Sequence, residues 1–249
     1  MILAATIAYS DHAFVRQGVE NFYRSASRSE FDKHALFDPG FPYPNKAENK
    51  ERLWELCKDY SLEYISIENK GCHQNFQQAA NAFGLDEGDI FITACPDIKV
   101  TKGWITAGCD VLKADPGCFT VQMNHFLLVA PPVHRKMVLG GQNIMQFPQL
   151  CGWSTGMFNM GLVNLIGGFQ ADSAQYGFIE HAMSRKLGEL GKRWYLLQDY
   201  YDEVQRNPCE VYVEWKLRSA QKVTCDSFEV WLEKRIALAD HTSGFHGGR

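Results

Sequence analysis

DEGDIFITACPDIKVTKGW, residues 86–104, decides how the chain is read. Its apolar run Ile90-Phe91-Ile92-Thr93-Ala94 has the length of a short buried strand, entered through an acidic glycine turn. The run stops at Cys95-Pro96-Asp97, and a second hydrophobic cluster closes on Gly103-Trp104. A buried strand that delivers a carboxylate at its C-terminal end sits where open α/β sheets place ligand chemistry. Pro-Asp is also a common turn pair, so Asp97 reads either as a ligand group or as a turn cap.

Upstream, the same grammar repeats. Residues 2–8 form a continuous apolar run, as strands buried on both faces do, and a helical spacing follows over 13–24 with Ser10 or Asp11 as its N-cap. Ala35-Leu36-Phe37 ends at Asp38, before a loop whose three prolines forbid regular structure. A helix over 49–60, a strand over 62–67 and a helix over 73–83 lead back to the opening stretch. The first 105 residues therefore predict β-α-β-α-β-α-β, the pattern of a mostly parallel sheet with covered faces. In such a sheet the strand ends carrying Asp11, Asp38, Asn69 and Asp97 share one edge, the geometry of a nucleotide pocket. Neither GxGxxG nor GxxxxGK[ST] is present.

The second half has a different texture. A helix is expected over 103–113 and a strand over 120–129. Residues 138–168, rich in Gly, Gln, Asn and Met, read as a set of binding loops with periodicity only over 157–166. A helix over 177–191, strand character at 211–215, a closing helix around 228–239 and a flexible tail over 241–249 complete the expectation.

Composition narrows the function. The 249 residues are 45% hydrophobic and 22% charged with net charge -4, which suits one soluble α/β domain and advertises no global basic field for nucleic acid. The eight cysteines include no CxxC pair, which argues against zinc and for reduced thiols in the cytoplasm. No apolar run is long enough to cross a bilayer, and the first residues make no convincing signal peptide.

Three groups of residues carry a family resemblance. One is the N-terminal β-α-β run ending in Asp38. Another runs from Asn69-Lys70-Gly71 through Ala79-Ala80-Asn81-Ala82-Phe83-Gly84 and Gly88-Asp89 to Cys95-Pro96-Asp97, closed by Gly103-Trp104. The last is Gly167-Gly168-Phe169 followed by Tyr176-Gly177-Phe178-Ile179-Glu180-His181 and Arg185. In this order they resemble the GT-A class of nucleotide-sugar glycosyltransferases, most like the inverting family 2, over roughly residues 2–200. The resemblance implies a Rossmann-like, mostly parallel central sheet flanked by helices with a smaller acceptor-side region. It implies one domain over 1–240, split into a nucleotide-binding half (1–105) and an acceptor and catalytic half (106–240).

The resemblance also implies the chemistry. A sugar would pass from a nucleoside diphosphate, UDP being the commonest case, to an acceptor hydroxyl with inversion. Nucleotide contacts would come from Thr6, Ala8, Tyr9, Asp38, Asn69, Asn81, Cys95 and Pro96. Asp97 would hold a divalent cation, Mn²⁺ or Mg²⁺, and Glu180 would be the base. Trp153 and His181 would face the acceptor: a saccharide, a lipid-linked sugar, a protein or a modified nucleic-acid base. Two departures stand out: Cys95 replaces the first aspartate of the Asp-x-Asp segment, and Ile179-Glu180 replaces Glu-Asp. A thiolate is a poor ligand for a hard cation, so the expectation is either weak metal affinity without the donor or a metal that is dispensable. The duller roles are a turn cap for Asp38 and Asn69, an exposed helical amide for Asn81, a surface ion pair for Glu180, a structural histidine at 181 and a core tryptophan at 153. A nucleotidyltransferase, or a degenerate binding protein of the same fold, are the competing functions.

Overall fold

The computed structural model describes residues 1–40, 45–70, 72–125, 135–146, 155–169, 183 and 186–205. In chain order the described elements are β1 (Ile2–Ile7), α1 (His12–Ser25), β2 (Lys33–Asp38), α2 (Lys46–Tyr60), β3 (Glu63–Ser66), α3 (Cys72–Ala82) and β4 (Ile90–Thr93). They continue with β5 (Ile98–Val100), α4 (Trp104–Ala114), β6 (Cys118–His125), β7 (Arg135–Leu139), β8 (Gln142–Gln146), β9 (Gly156–Asn159), α5 (Met160–Leu165) and β10 (Arg193–Val204).

One sheet joins the described strands in the order β3-β2-β1-β4-β9-β6-β10-β8-β7, with β5 paired to β10. The leading four run parallel, β6 and β10 run parallel to each other, and β9 is wedged antiparallel between β4 and β6. Most strands therefore point the same way, and the exceptions are β5, β8 and β9. This is the α/β architecture the sequence predicts: a mostly parallel central sheet with helices on both faces.

The alternation along β1 shows how the layers form. Leu3, Ala5 and Ile7 enter one core with Phe76, Ala79 and Ala80 of α3, Phe91, Phe158 and Phe169. On the other face Ala4 packs with Ile92, Val121, Met157 and Trp104, beneath α1 and α4, and Ala8 packs with Val15, Val19, Leu53 and Leu56 of α1 and α2. A strand covered on both sides has no polar face, which is why its sequence reads as an unbroken apolar run. Thr6 is the exception in type only. It is 1% exposed, and its hydroxyl meets the Nε2 of buried His34 at 2.9 Å.

Strand order sets where a ligand would lie. From β1 the chain adds β2 and then β3 on one side, and β4 on the other, so the order reverses between β1 and β4. The C-terminal ends of strands flanking such a reversal splay their loops apart and leave a crevice.

The second half departs from the sequence reading. The described part of 138–168 is not a set of loops: it carries the end of β7, then β8, β9 and α5, and residues 147–154 lie outside the described residues. Strands β7 and β8 form a partly exposed hairpin at the sheet edge, so they lack the apolar runs of central strands. β10, whose RWYLLQDYYDEV mixes aromatics with acids, went unanticipated, although it pairs with β5, β6 and β8. The expected strand over 120–129 begins earlier, at Cys118, and residues 126–129 lie outside the described residues, as do 211–215, 228–239 and 241–249. Of the helix expected over 177–191, residues 183 and 186–189 are described and helical, and 190–191 turn away from it. Among the described residues no helix is long and apolar enough to cross a membrane.

Candidate functional site

The loops after β1, β2, β3 and β4 are stitched into one rim by main-chain hydrogen bonds. Ala8 N donates to Phe37 O at 2.9 Å, Ile67 N to Asp38 O at 2.9 Å, and Ala94 N to Ala5 O at 2.9 Å. Each bond continues a parallel ladder one step past the last strand residue, so neighbouring loops leave the sheet together.

Asp38 ends β2 and is only 8% exposed. Its Oδ1 accepts from Gly40 N at 2.8 Å and its Oδ2 from the Tyr64 hydroxyl at 2.5 Å. Burial first, and then the bond to Asp38, push the Tyr64 phenol far above its ordinary range, so it stays a donor. Burial, with the Asp38 charge second, also pushes the Cys57 thiol up to about 12.

Asn75, on the first turns of α3 and fully buried, joins two loops. Its Nδ2 donates to the Tyr9 hydroxyl at 2.6 Å and, at 3.4 Å, to Asn69 Oδ1, while its Oδ1 accepts from Lys70 N at 3.0 Å. Nothing in the sequence singled out this residue, because an amide on a helix reads as solvated; its only signal is the neighbouring apolar Phe76. Asn81 lies six residues further along α3, about 9 Å down the axis at 1.5 Å per residue, and its exposed amide oxygen accepts from Gln77. The helix thus carries Asn81 away from the rim, while Asn75 stays on it.

The segment Cys95-Pro96-Asp97 leaves β4 and is held from several sides. Cys95 N donates to the buried Thr155 hydroxyl at 3.3 Å, and Ile98 N donates to Cys95 O at 3.2 Å. Gln205 N donates to Asp97 O at 2.5 Å, and the Gln205 side chain accepts from Gln17 of α1 at 2.9 Å. Pro96 rests on Gly18 of α1. Asp97 itself is half-buried. Its place is set by the sheet, by α1 and by the end of β10.

The expected nucleotide contacts separate accordingly. Tyr9, Asp38, Asn69, Cys95, Pro96 and Asp97 stand on the rim. Thr6 belongs to the core pair with His34, and Ala8 is 1% exposed beneath the rim. Trp153, Glu180 and His181 lie outside the described residues. Gly167-Gly168-Phe169, expected near the catalytic segment, lies against α3. Gly168 has φ +86°, Phe169 N donates to Gln77 Oε1 at 2.6 Å, and Phe169 is buried among Phe76, Phe91 and Phe158. Among the described residues no group of three or more His, Cys, Asp and Glu side chains is placed to hold a metal ion. With Asp97 the one carboxylate of the Cys95-Pro96-Asp97 segment, the segment would suit a hard cation that brings most of its oxygen ligands with it, such as one carried by a diphosphate.

Compared by sequence, the chain matches no protein-family model and no curated protein. Compared by structure, it is similar to GalNAc-T7 solved with UDP, GalNAc and Mn²⁺: TM-score 0.64 and 12% identity, covering 83% of this chain and 44% of that one. It is also similar to a mannosyltransferase of Pyrobaculum calidifontis in complex with GDP-Man and Mn²⁺, with TM-score 0.60, 14% identity and 88% and 61% coverage. Residues 1–349 of S. aureus TarS with UDP-GlcNAc give TM-score 0.59, 11% identity and 85% and 60% coverage. The chain spans about half to three fifths of the length of these proteins. At such identities the likeness is one of fold, and the fold is GT-A.

Proposed function

We propose that this chain is a glycosyltransferase, moving a sugar from a nucleoside diphosphate to an acceptor hydroxyl. The observation that carries the reading is the placement of Asp97, whose main-chain oxygen accepts from Gln205 N just past the C-terminal end of β4, beside the rim that holds Tyr9, Asp38 and Asn69. The neighbours solved with UDP, GDP-mannose and UDP-GlcNAc support it, as does Mn²⁺ in two of them.

The division of labour follows from charge. As the bond between sugar and diphosphate breaks, negative charge gathers on the leaving phosphate oxygens. A divalent cation held by Asp97 and those oxygens would neutralise it. Asp38 and the Tyr9–Asn75–Asn69 bonds would orient the nucleoside, and Pro96 and Cys95 would wall the diphosphate. The acceptor hydroxyl must lose its proton as it attacks, a contribution of roughly 10²–10⁴-fold from a positioned base. We assign that base to Glu180 and the acceptor contacts to Trp153 and His181, with attack opposite the diphosphate and inversion at the anomeric carbon. UDP is the donor nucleotide and the cytoplasm the compartment of this reading. Among the described residues Cys57, Cys109 and Cys118 stand in no disulfide, which fits a reducing environment.

Cys95 in place of a carboxylate favours one second reading, a binding protein of the same fold that has lost turnover. Melting curves with UDP, GDP, ADP and CDP and the matching sugar nucleotides, with and without Mn²⁺, test both. A Mn²⁺-dependent rise for one nucleotide, abolished in Asp97→Ala, supports the donor site. Release of free sugar from the bound donor, lost in Glu180→Gln, identifies the enzyme; binding without release identifies the degenerate form. No shift with any nucleotide overturns the donor reading.

A further inference from the structure

Resting on the donor reading above, we infer that Tyr64 is a positioning residue that sets which nucleobase the site accepts. By holding the Asp38 carboxylate, it selects bases with a ring N–H on their pairing edge. In the parallel register of β2 and β3, Leu36 is opposite Tyr64 and Asp38 opposite Ser66. Side chains two residues apart share a face, so the Tyr64 ring lies on the same face as Asp38, one step back from the rim. The ring packs against the cluster of Leu36, Leu53 and Leu56, which leaves its hydroxyl to reach along the strand to Asp38 Oδ2 at 2.5 Å.

The second carboxylate oxygen is held separately, by Gly40 N at 2.8 Å. Two donors on two different oxygens fix both the position and the plane of the carboxylate. An ionised carboxylate has about four acceptor sites and no proton to give, so what remains for a ligand is acceptor capacity alone. Uracil and guanine present a ring N–H there. Adenine and cytosine present a bare ring nitrogen, which a fixed carboxylate repels. A free carboxylate can swing aside; one clamped by Tyr64 and Gly40 cannot. Discrimination against the unpaired case is the expected result, because a buried acceptor facing an acceptor leaves both unsatisfied.

The test is calorimetric titration of UDP, GDP, ADP and CDP with Mn²⁺ into the wild-type chain, Tyr64→Phe and Asp38→Asn. Wild type is expected to bind UDP or GDP at least about tenfold more tightly than ADP and CDP, the worth of one charge-assisted hydrogen bond. Tyr64→Phe should narrow that preference to about threefold while leaving the affinity for Mn²⁺-pyrophosphate unchanged, a split that general loosening of the fold would not produce. Asp38→Asn, which places an amide N–H at the same point, should move the preference toward CDP or ADP. An unaltered preference in Tyr64→Phe, or a wild-type preference for ADP or CDP, overturns the inference and leaves the donor reading standing. Failure of all four nucleotides to bind wild type overturns both.

Discussion

Pro96 lies on the backbone of Gly18: a Cβ added at Gly18 would stand 2.4 Å from Pro96 Cα and 2.5 Å from Pro96 O. Within a helix, glycine is normally the poorer choice than alanine by about 1 kcal/mol. Here that cost admits the loop that ends in Asp97. Gly18→Ala should therefore displace Cys95-Pro96-Asp97 and weaken Mn²⁺-dependent nucleoside diphosphate binding by about tenfold or more, read by calorimetry. A variant more stable than wild type with unchanged nucleotide affinity would show that the contact does not position the loop.

His34 makes the fold sensitive to mild acid. It is 2% exposed, set between the Thr6 and Tyr23 hydroxyls and 4.7 Å from the Phe22 ring, and burial, with the Arg28 charge second, holds its pKa down to about 3. The unfolded chain takes up this proton near pH 6.5 and the folded chain does not. The histidine's contribution is therefore complete above about pH 7 and is lost as pH falls toward 3. Between pH 7 and 5 the loss amounts to about 2 kcal/mol. Urea unfolding of wild type and His34→Gln at each pH should show this decline in the first and its absence in the second.

Asp115 acts lower on the pH scale. Arg193 bonds it through Nε at 2.8 Å and Nη2 at 2.6 Å, and Tyr195 and Gly117 N add further donors. The Arg193 bonds are the main reason its pKa falls to about 2. A depressed carboxylate pKa stabilises the fold above about pH 4, and that contribution disappears as pH falls through 2. Arg193 is partly exposed, so about 1–2 kcal/mol is the expected size. Asp115→Asn should lose that amount at pH 7, and the gap to wild type should close toward pH 2 in denaturant titrations.

Gly167 and Gly168 form an internal control. Both have positive φ, +92° and +86°, but a Cβ on Gly167 meets nothing within 4 Å, whereas one on Gly168 would stand 2.0 Å from Gln77 Oε1. Gly167→Ala should cost about 1 kcal/mol of backbone strain. Gly168→Ala should cost about 1 kcal/mol more, because Gln77 must give up its bond to Phe169 N. Equal losses in unfolding experiments would refute the role given to Gln77.

The first half of the fold was legible because β1, β2 and β4 hide both faces and β3, the half-exposed edge strand, sits between two helical spacings: 2–8, 35–38, 62–67 and 90–94 lie within a residue or two of β1 to β4. The rim followed directly, since strand ends in a parallel sheet share an edge. The later strands were not legible, because β7 and β8 are partly solvated and β10 changes partners along its length. In the site, position along the chain separated the rim residues Asp38 and Asp97 from the core well enough. It could not show that Thr6 faces His34, that α3 carries Asn81 away, or that Tyr64 and Asn75 hold the rim together. Those facts depend on side-chain direction across neighbouring elements, which periodicity within one element does not encode.

The bond from Gln205 N to Asp97 O, together with the pairing of β5 against the end of β10, has a consequence for the order in which the protein is made. The β-α-β units of the first hundred residues can collapse as they leave the ribosome, since the pairings of β1 with β2 and β4 and of β2 with β3 lie within those residues. The loop bearing Asp97 must wait for its partner until residue 205 has been synthesised. A nascent chain halted before that point should hold most of the parallel half of the sheet, yet lack a finished seat for the cation proposed at Asp97. On the proposed function, competence to handle the donor is then acquired late in synthesis, after most of the sheet is in place.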